Sequence, residues 1–217
     1  MNNIAIYGAG GLGREVACLL KAINQVKPTW NFIGFFDDGC PDMTNNPYGI
    51  LIGNLESANT YPDRLAIVMA IASSNILEDL TPKITNKHIY FPNIIAPNVL
   101  LFDDDNIEYG YGNVLGFGVR ISCGVKFGNF NLLNGCTSIG HDVEIGNYNI
   151  MQPDTRISGE TIIGNSNFFG ARSLILQRLK IGNHTRIGAG SVVIHNTKDR
   201  MSYFGNPAKK IEQYNNK

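Results

Sequence analysis

The sequence predicts two structural classes in one chain: a small α/β unit, then an all-β parallel β-helix. Three observations carry that prediction. Near the N-terminus, short apolar runs alternate with segments of helical apolar spacing. From Tyr109 to Val193 every sixth residue is apolar, and the register never slips. Nine of those fifteen positions are followed at once by glycine, too many for an accidental pattern.

In chain order, Ile4 to Tyr7 is an apolar run that ends in Gly8-Ala9-Gly10-Gly11-Leu12-Gly13. Residues Arg14 to Ile23 then carry Val16, Leu19, Leu20 and Ile23 at helical spacing, so the segment reads as strand, glycine turn, helix. A second strand is expected over Phe32 to Phe36, ending in Asp37-Asp38, and a third over Leu65 to Ala72, with a helix from Asn75 to Ile84. Strands that alternate with helices imply a parallel sheet.

A period of six is neither helical nor the simple alternation of a flat strand, so each unit is a short strand followed by a corner. Three units close one triangular turn of eighteen residues. Fifteen units make about five coils, a stack of roughly 24 Å. The large aliphatic residue is expected inside, with the following glycine, or Asn134, at a positive-φ corner. The boundaries read as 1–90 for the α/β unit, 91–108 for a connecting segment, 109–196 for the coil and 197–217 for a tail.

Composition excludes several classes. Eighteen basic residues balance eighteen acidic ones, which argues against a nucleic-acid binder. No apolar run approaches the roughly 20 residues that span a bilayer, and the N-terminus lacks the pattern of a signal peptide, so a cytoplasmic protein without membrane insertion is expected. Cys18, Cys40, Cys123 and Cys136 form no CxxC or Cys/His cluster. They read as reduced thiols, with no metal site.

The hexapeptide period, together with GAGGLG at 8–13, FFDD at 35–38, GHDVEIG at 140–146 and GNPAKKI at 205–211, resembles the hexapeptide-repeat sugar acetyltransferases. The likeness is to the subfamily acting on nucleotide-linked aminosugars or sialic acids. The resemblance implies a Rossmann-like N-terminal domain and a left-handed β-helix assembled as a homotrimer, with acetyl-CoA as co-substrate. It implies His141 as general base and Asp142 as the acid that raises its basicity. It places the nucleotide-sugar at Gly10, Gly11, Leu12, Asp37, Asp38 and Ala72, and the pantetheine groove at Ile150, Ala171 and Ala189, with Lys209 or Lys210 near phosphate. Relatives often carry a polar residue where this chain has Leu12, and some have glycine at Ala72, so both positions bear on which sugar is accepted.

The residues themselves point the same way. Acetyl transfer needs a base that works near neutral pH, and a histidine, with an ordinary pKa of ~6.5, suits it. His141 follows the inward Ile139 and Gly140, so it faces outward, where a histidine with no role is also common. Column arithmetic adds that Gly159, eighteen residues on, lies over His141 and offers an N–H for a thioester oxyanion. It also stacks Glu160 over Asp142 and Arg178 over Glu160, a ladder that is either structural or a device to tune the base. His88, His184 and His195 read as surface residues, and Phe130, Tyr148 and Phe168 as outward aromatics awaiting cover.

Other readings remain in view. N-acetylation of a nucleotide-linked aminosugar leads, and O-acetylation of sialic acid follows. A coil that serves only as scaffold or carbohydrate-binding module is a third reading. A dinucleotide-dependent enzyme is disfavoured, because about ninety residues before the coil are too few for a full domain of that kind.

Overall fold

The structure is a computed structural model that describes residues 1–39 and 46–211, and it divides into two units, Met1–Pro97 and Asn98–Lys217. Cys40 lies outside the described residues, and Cys18, Cys123 and Cys136 are free thiols.

The first unit is a parallel sheet in the order β3-β2-β1-β4-β5, with β1 at Asn2–Tyr7, β2 at Trp30–Phe36, β3 at Leu51–Gly53, β4 at Leu65–Met69 and β5 at Ile89–Tyr90. A central parallel strand is covered on both faces and so carries an unbroken apolar run. Ile4, Ala5 and Ile6 on β1 and Leu65, Ala66 and Ile67 on β4 are accordingly fully buried. Helix α1 is Gly11–Val26, and it turns Gly13, Val16, Ala17, Leu19 and Leu20 inward. Helix α2 (Leu55–Asn59) is capped by Asn54, whose side chain accepts the Ser57 N–H.

The third strand stops at Met69, short of Ala72. The expected helix from Asn75 is α3 (Ser74–Leu80), which tightens into a 3₁₀ turn at Thr81–Lys83. Pro82 has no N–H to continue the α-helical ladder, which accounts for the early end. Strands β3 and β5 and helix α2 are too short to leave a periodic trace.

The second unit is a three-faced coil. Its first face runs from Leu100–Leu101 to Val192–Val193, its second from Glu108–Tyr109 to Lys180–Ile181, and its third from Val114–Leu115 to Arg186–Ile187. The third face is extended by Ser202–Phe204 and the antiparallel Lys209–Ile211. From Glu108–Tyr109 to Leu174–Ile175 each coil strand pairs in parallel with the one eighteen residues on, as Arg120 with Ser138 and Ser138 with Arg156. The first turn is longer, because the 3₁₀ turn Asp104–Asn106 is inserted between Leu101 and Tyr109. The residues at the six-residue period fill the interior: Leu115, Leu133, Met151, Phe169 and Ile187 are fully buried.

The corners differ from expectation. The glycine after each inward residue does not hold the positive φ. That conformation belongs to the residue two further on, as in Cys136, Asp142, Tyr148, Asp154, Glu160 and Arg178, with φ between 55° and 62°. A non-glycine residue pays about 1–2 kcal/mol for it. Its N–H in return reaches the preceding turn, as from Asp142 to the Cys123 carbonyl at 2.9 Å and from Glu160 to the His141 carbonyl at 2.8 Å.

The glycines serve close approach instead. A Cβ on Gly128, Gly146 or Gly164 would lie 2.6–2.7 Å from the side-chain oxygen of Asn147, Asn165 or Asn183, and one on Gly140 would lie 2.5 Å from the Gly159 nitrogen. Gly128, Gly146 and Gly164 make room for an asparagine ladder at the corner from the second face to the third. There the Asn129 N–H donates to Asn147 Oδ1 at 2.8 Å, and the Asn147 N–H to Asn165 Oδ1 at 2.7 Å. A second ladder, Asn113, Asn131, Asn149 and Asn167, is wholly interior.

The open end of the coil is closed by side chains. Asn196 Oδ1 accepts the Lys180 N–H, Thr197 Oγ1 the Gly182 N–H and Asp199 Oδ1 the Asn183 N–H, at 2.8–2.9 Å. Unpaired strand edges would otherwise invite another chain. Phe130, expected outward, is only 4% exposed, since it stacks on Tyr148 and fills the space left by Gly112. Phe168 is half-buried under the Arg186 guanidinium. His184 occupies a positive-φ corner.

Candidate active site

In the coil, His141 stands at the corner from the first face to the second, two residues after the buried Ile139. Its side chain is 51% exposed, and Nδ1 lies 2.8 Å from Asp142 Oδ2. The carboxylate accepts Nδ1–H, which leaves the Nε2 lone pair free to take a proton. The positive φ of Asp142 turns its side chain back onto the imidazole. Gly124, one turn below, leaves room for it, since a Cβ there would lie 2.5 Å from Asp142 Oδ1.

Above the ring lies Gly159, as the column arithmetic requires. A Cβ on Gly159 would lie 2.6 Å from His141 Nε2, 2.8 Å from Cε1 and 2.9 Å from Cδ2. Its φ lies outside the left-handed region, so the backbone does not demand glycine; the imidazole does. Among the described residues its N–H has no backbone acceptor. Glu160 follows, with its carboxylate turned away to Arg178, whose Nε and Nη2 reach it at 2.9–3.1 Å. That hydrogen bond, more than the charge itself, holds the Glu160 carboxyl below the usual range. Cys123, one turn below His141, and Gly124 are the neighbours sequence reasoning passed over; counting eighteen residues back from His141 and Asp142 finds both.

Ala171 and Ala189 stack at a different corner, from the third face to the first, where the Gly190 N–H donates to the Ala171 carbonyl at 2.8 Å. Ala171 is half-buried and Ala189 exposed. Ile150 points from the third face and is fully buried. Lys209 and Lys210 are exposed on the last strand.

In the first unit, the glycine turn follows β1, Asp37-Asp38 follows β2, and Ala70 to Ala72 follow β4. These strands are neighbours, so all three segments meet at their C-terminal ends, where open α/β sheets take ligands. The glycines divide into two kinds. Gly8 has φ +110°, and a Cβ on Gly13 would lie 2.0 Å from the Gly8 carbonyl oxygen, so both are required by the turn. Gly10 has no atom within 4 Å of an added Cβ, and Gly11 meets only the end of Arg14 at 4.0 Å. The α1 N-terminus has no side-chain cap and no acid in its first turn, which leaves its N–H groups and positive dipole end open to an anion.

Asp37 and Asp38 do more than wait for a ligand. Asp37 accepts the Ala9 N–H at 2.7 Å and the Gly39 N–H at 2.8 Å, so it braces the glycine turn. Asp38 accepts the Leu55 N–H at 3.1 Å and the hydroxyl of the buried Tyr7. Burial first, then Asp38, raises the Tyr7 hydroxyl above the ordinary phenol range. Tyr7 was not singled out from sequence, where it reads as one more apolar strand residue. Leu12 is half-buried and Ala72 exposed.

Residues 3–84 match the family described as the PglD N-terminal domain. The whole chain superposes on the acetyltransferase domain of PglB from Neisseria gonorrhoeae, solved in complex with acetyl coenzyme A, at 25% identity, TM-score 0.87, and 97% and 100% of the two chains. It superposes on WeeI from Acinetobacter baumannii at 28% identity, TM-score 0.86, and 97% and 100%. A variant of perosamine N-acetyltransferase from Caulobacter crescentus, in complex with CoA and GDP-perosamine, matches at 20% identity, TM-score 0.88, and 98% of each. The chain has the left-handed β-helix fold of the hexapeptide-repeat sugar acetyltransferases. No curated protein sequence matches it. In this acetyltransferase fold no helix of the described residues is long and apolar enough to cross a membrane. Among the same residues no group of three His, Cys, Asp or Glu is placed to hold a metal ion.

Proposed function

We propose that this chain transfers the acetyl group of acetyl-CoA to the amine of a nucleotide-linked aminosugar, as a cytoplasmic homotrimer, with His141 as general base. One observation carries the reading: Asp142 fixes His141 through Nδ1 at 2.8 Å, while Gly159 keeps open the space against Nε2. A base oriented on one side and unobstructed on the other is what proton abstraction from an incoming amine requires.

In the reaction the neutral amine attacks the thioester carbonyl, and Nε2 takes the proton as the C–N bond forms. The Gly159 N–H is a donor for the oxyanion. Collapse breaks the C–S bond, and the imidazolium returns the proton to the departing thiolate. Asp142 stabilises the imidazolium and holds its tautomer.

The nucleotide-sugar belongs to the first unit. Gly10 and Gly11, which the fold does not require, let a diphosphate approach the open N-terminus of α1. Leu12 and Ala72 border that approach. Asp37 and Asp38 accept hydrogen bonds from base or ribose with the lone pairs that their internal donors leave. Acetyl-CoA, which the Neisseria domain binds, lies along the coil, with Ala171 and Ala189 at its groove, while the fully buried Ile150 offers it no surface in the single chain. Ala171 and His141 occupy different corners of one coil, so a site that uses both draws its corners from two chains, hence the trimer. Leu176 and Ile194, at the His141 corner and 39% and 36% exposed, offer apolar surface for such a neighbour.

The test is acetyl-CoA consumption against UDP-, GDP-, dTDP- and CMP-linked sugars, with parent and His141→Ala proteins. An aminosugar nucleotide should be the best acceptor, and His141→Ala should lower kcat by about 10²- to 10⁴-fold with acetyl-CoA binding kept. Preference for a hydroxyl of sialic acid would replace N- by O-acetylation. Equal turnover of nucleotide-free sugars would remove the first unit from acceptor binding, and light scattering that shows an active monomer would remove the shared groove.

A further inference from the structure

At the His141 corner the positive-φ residues of successive turns are Gly124, Asp142, Glu160 and Arg178. Two carboxylates therefore follow one another up a column beside the imidazole, and each has a different partner. Asp142 is bonded to His141, whereas Glu160 is gripped at both oxygens by Arg178. Nothing in the coil's backbone requires that division. Glu160 adjoins Gly159, the residue against which Nε2 lies, and its own N–H is bonded to the His141 carbonyl. A free Glu160 side chain would thus sit within reach of the nitrogen that has to accept the proton.

We propose that Arg178 is a positioning residue for the base: by holding the Glu160 carboxylate towards the next turn, it keeps Nε2 clear for the acceptor and leaves the imidazole facing one uncompensated carboxylate, not two. The inference rests on the reading of His141 as the base. Charge arithmetic supports it. The titratable groups stacked on the imidazole are Cys123 below, Asp142 on its own turn and Glu160 above, with Arg178 one turn higher. Removing the guanidinium exposes the imidazole to a second negative charge, which favours its protonated and therefore inactive form.

The fold supplies its own control. At the corner from the third face to the first, Asp154 and Arg172 form a looser acid-and-arginine stack, eighteen residues apart and 3.7 Å between Arg172 Nε and Asp154 Oδ2. The residue before Asp154 is Pro153, and no histidine stands beside that pair. If such stacks only tie turns together, removing either arginine has the same consequences.

The experiment follows the His141 imidazole by NMR in the ligand-free protein at low salt, beside the pH dependence of kcat/KM. In Arg178→Ala the imidazole should titrate about half a pH unit higher than in the parent, and the acid limb of the rate profile should move with it. Glu160→Gln in the same chain should return both to the parent position, and Arg172→Ala, beside Ala171 at the proposed acetyl-CoA groove, should leave the imidazole midpoint unmoved. If Arg178→Ala does not fold, Glu160→Gln alone decides: it leaves an uncompensated arginine and should lower the midpoint. An unmoved imidazole in Arg178→Ala, a double variant that keeps the shift, or an upward shift in Glu160→Gln overturns the proposal. Because the titration needs no substrate, a shift in a protein that acetylates no sugar would sink the assigned activity and leave the role of Arg178 standing.

Discussion

The corner from the second face to the third and the corner from the first face to the second share one backbone and do different work. Both place a non-glycine residue at positive φ whose N–H bonds to the preceding turn: Tyr148 to Asn129 in one, Asp142 to Cys123 in the other. They part at the residue just before it. In the first corner that position is Asn129, Asn147, Asn165 and Asn183, each turned onto the backbone of an adjacent turn. In the second it is Cys123, His141, Gly159 and Gln177, and no ladder forms. The corner proposed to carry the chemistry is the one that gives up the internal bonds, because a side chain committed to its neighbour's backbone is not free to meet a substrate.

The comparison can be broken from either side. The largest expected effect is structural. Asn149→Ala removes the acceptor of the buried Asn167 N–H and a donor to Gly164, and each unpaired buried group costs about 1–3 kcal/mol. Denaturant unfolding should show that loss, with kcat of the folded fraction unchanged; a drop in kcat without loss of stability would tie the ladder to the site.

Next comes Gly159→Ala, whose methyl would lie 2.6 Å from Nε2. The exposed imidazole can move, so the melting temperature should hold while kcat falls on the order of 10- to 100-fold from a displaced base. A large loss of melting temperature instead would make Gly159 a packing residue like Gly140.

The smallest effect is at the end of the asparagine column. The Asn183 N–H and amide hold the Asp199 carboxyl below its usual range. A depressed folded-state pKa means that this contribution is complete above the ordinary carboxylate range and is lost as pH falls through the folded value. The melting temperature of Asp199→Asn should therefore fall less steeply on acidification than that of the parent, and parallel curves would deny the cap any ionic part.

Much of this was legible before any coordinates. The six-residue period places the large aliphatic and aromatic residues that fill the coil, from Leu115 to Val193, because a side chain that must face a narrow dry core has few alternatives to such groups. From the same count, eighteen residues to a turn, Gly159 over His141 and Arg178 over Glu160 follow without a structure.

The reason for each glycine was not legible. Gly140 and Gly10 look alike in sequence, yet one is hemmed in by the backbone of the next turn and the other faces open space. Composition cannot tell a glycine chosen for its φ from one chosen for its missing Cβ, since both properties belong to the same residue. The partners of charged side chains were hidden for a similar reason. Asp37 and Asp38 read as an acidic pair after a strand, held for a nucleotide-sugar, and only the folded turn brings Ala9 and Tyr7 to them. Periodicity records which way a side chain must point; the tertiary structure alone decides what it meets there, because those contacts join residues whose separation in the chain follows no period.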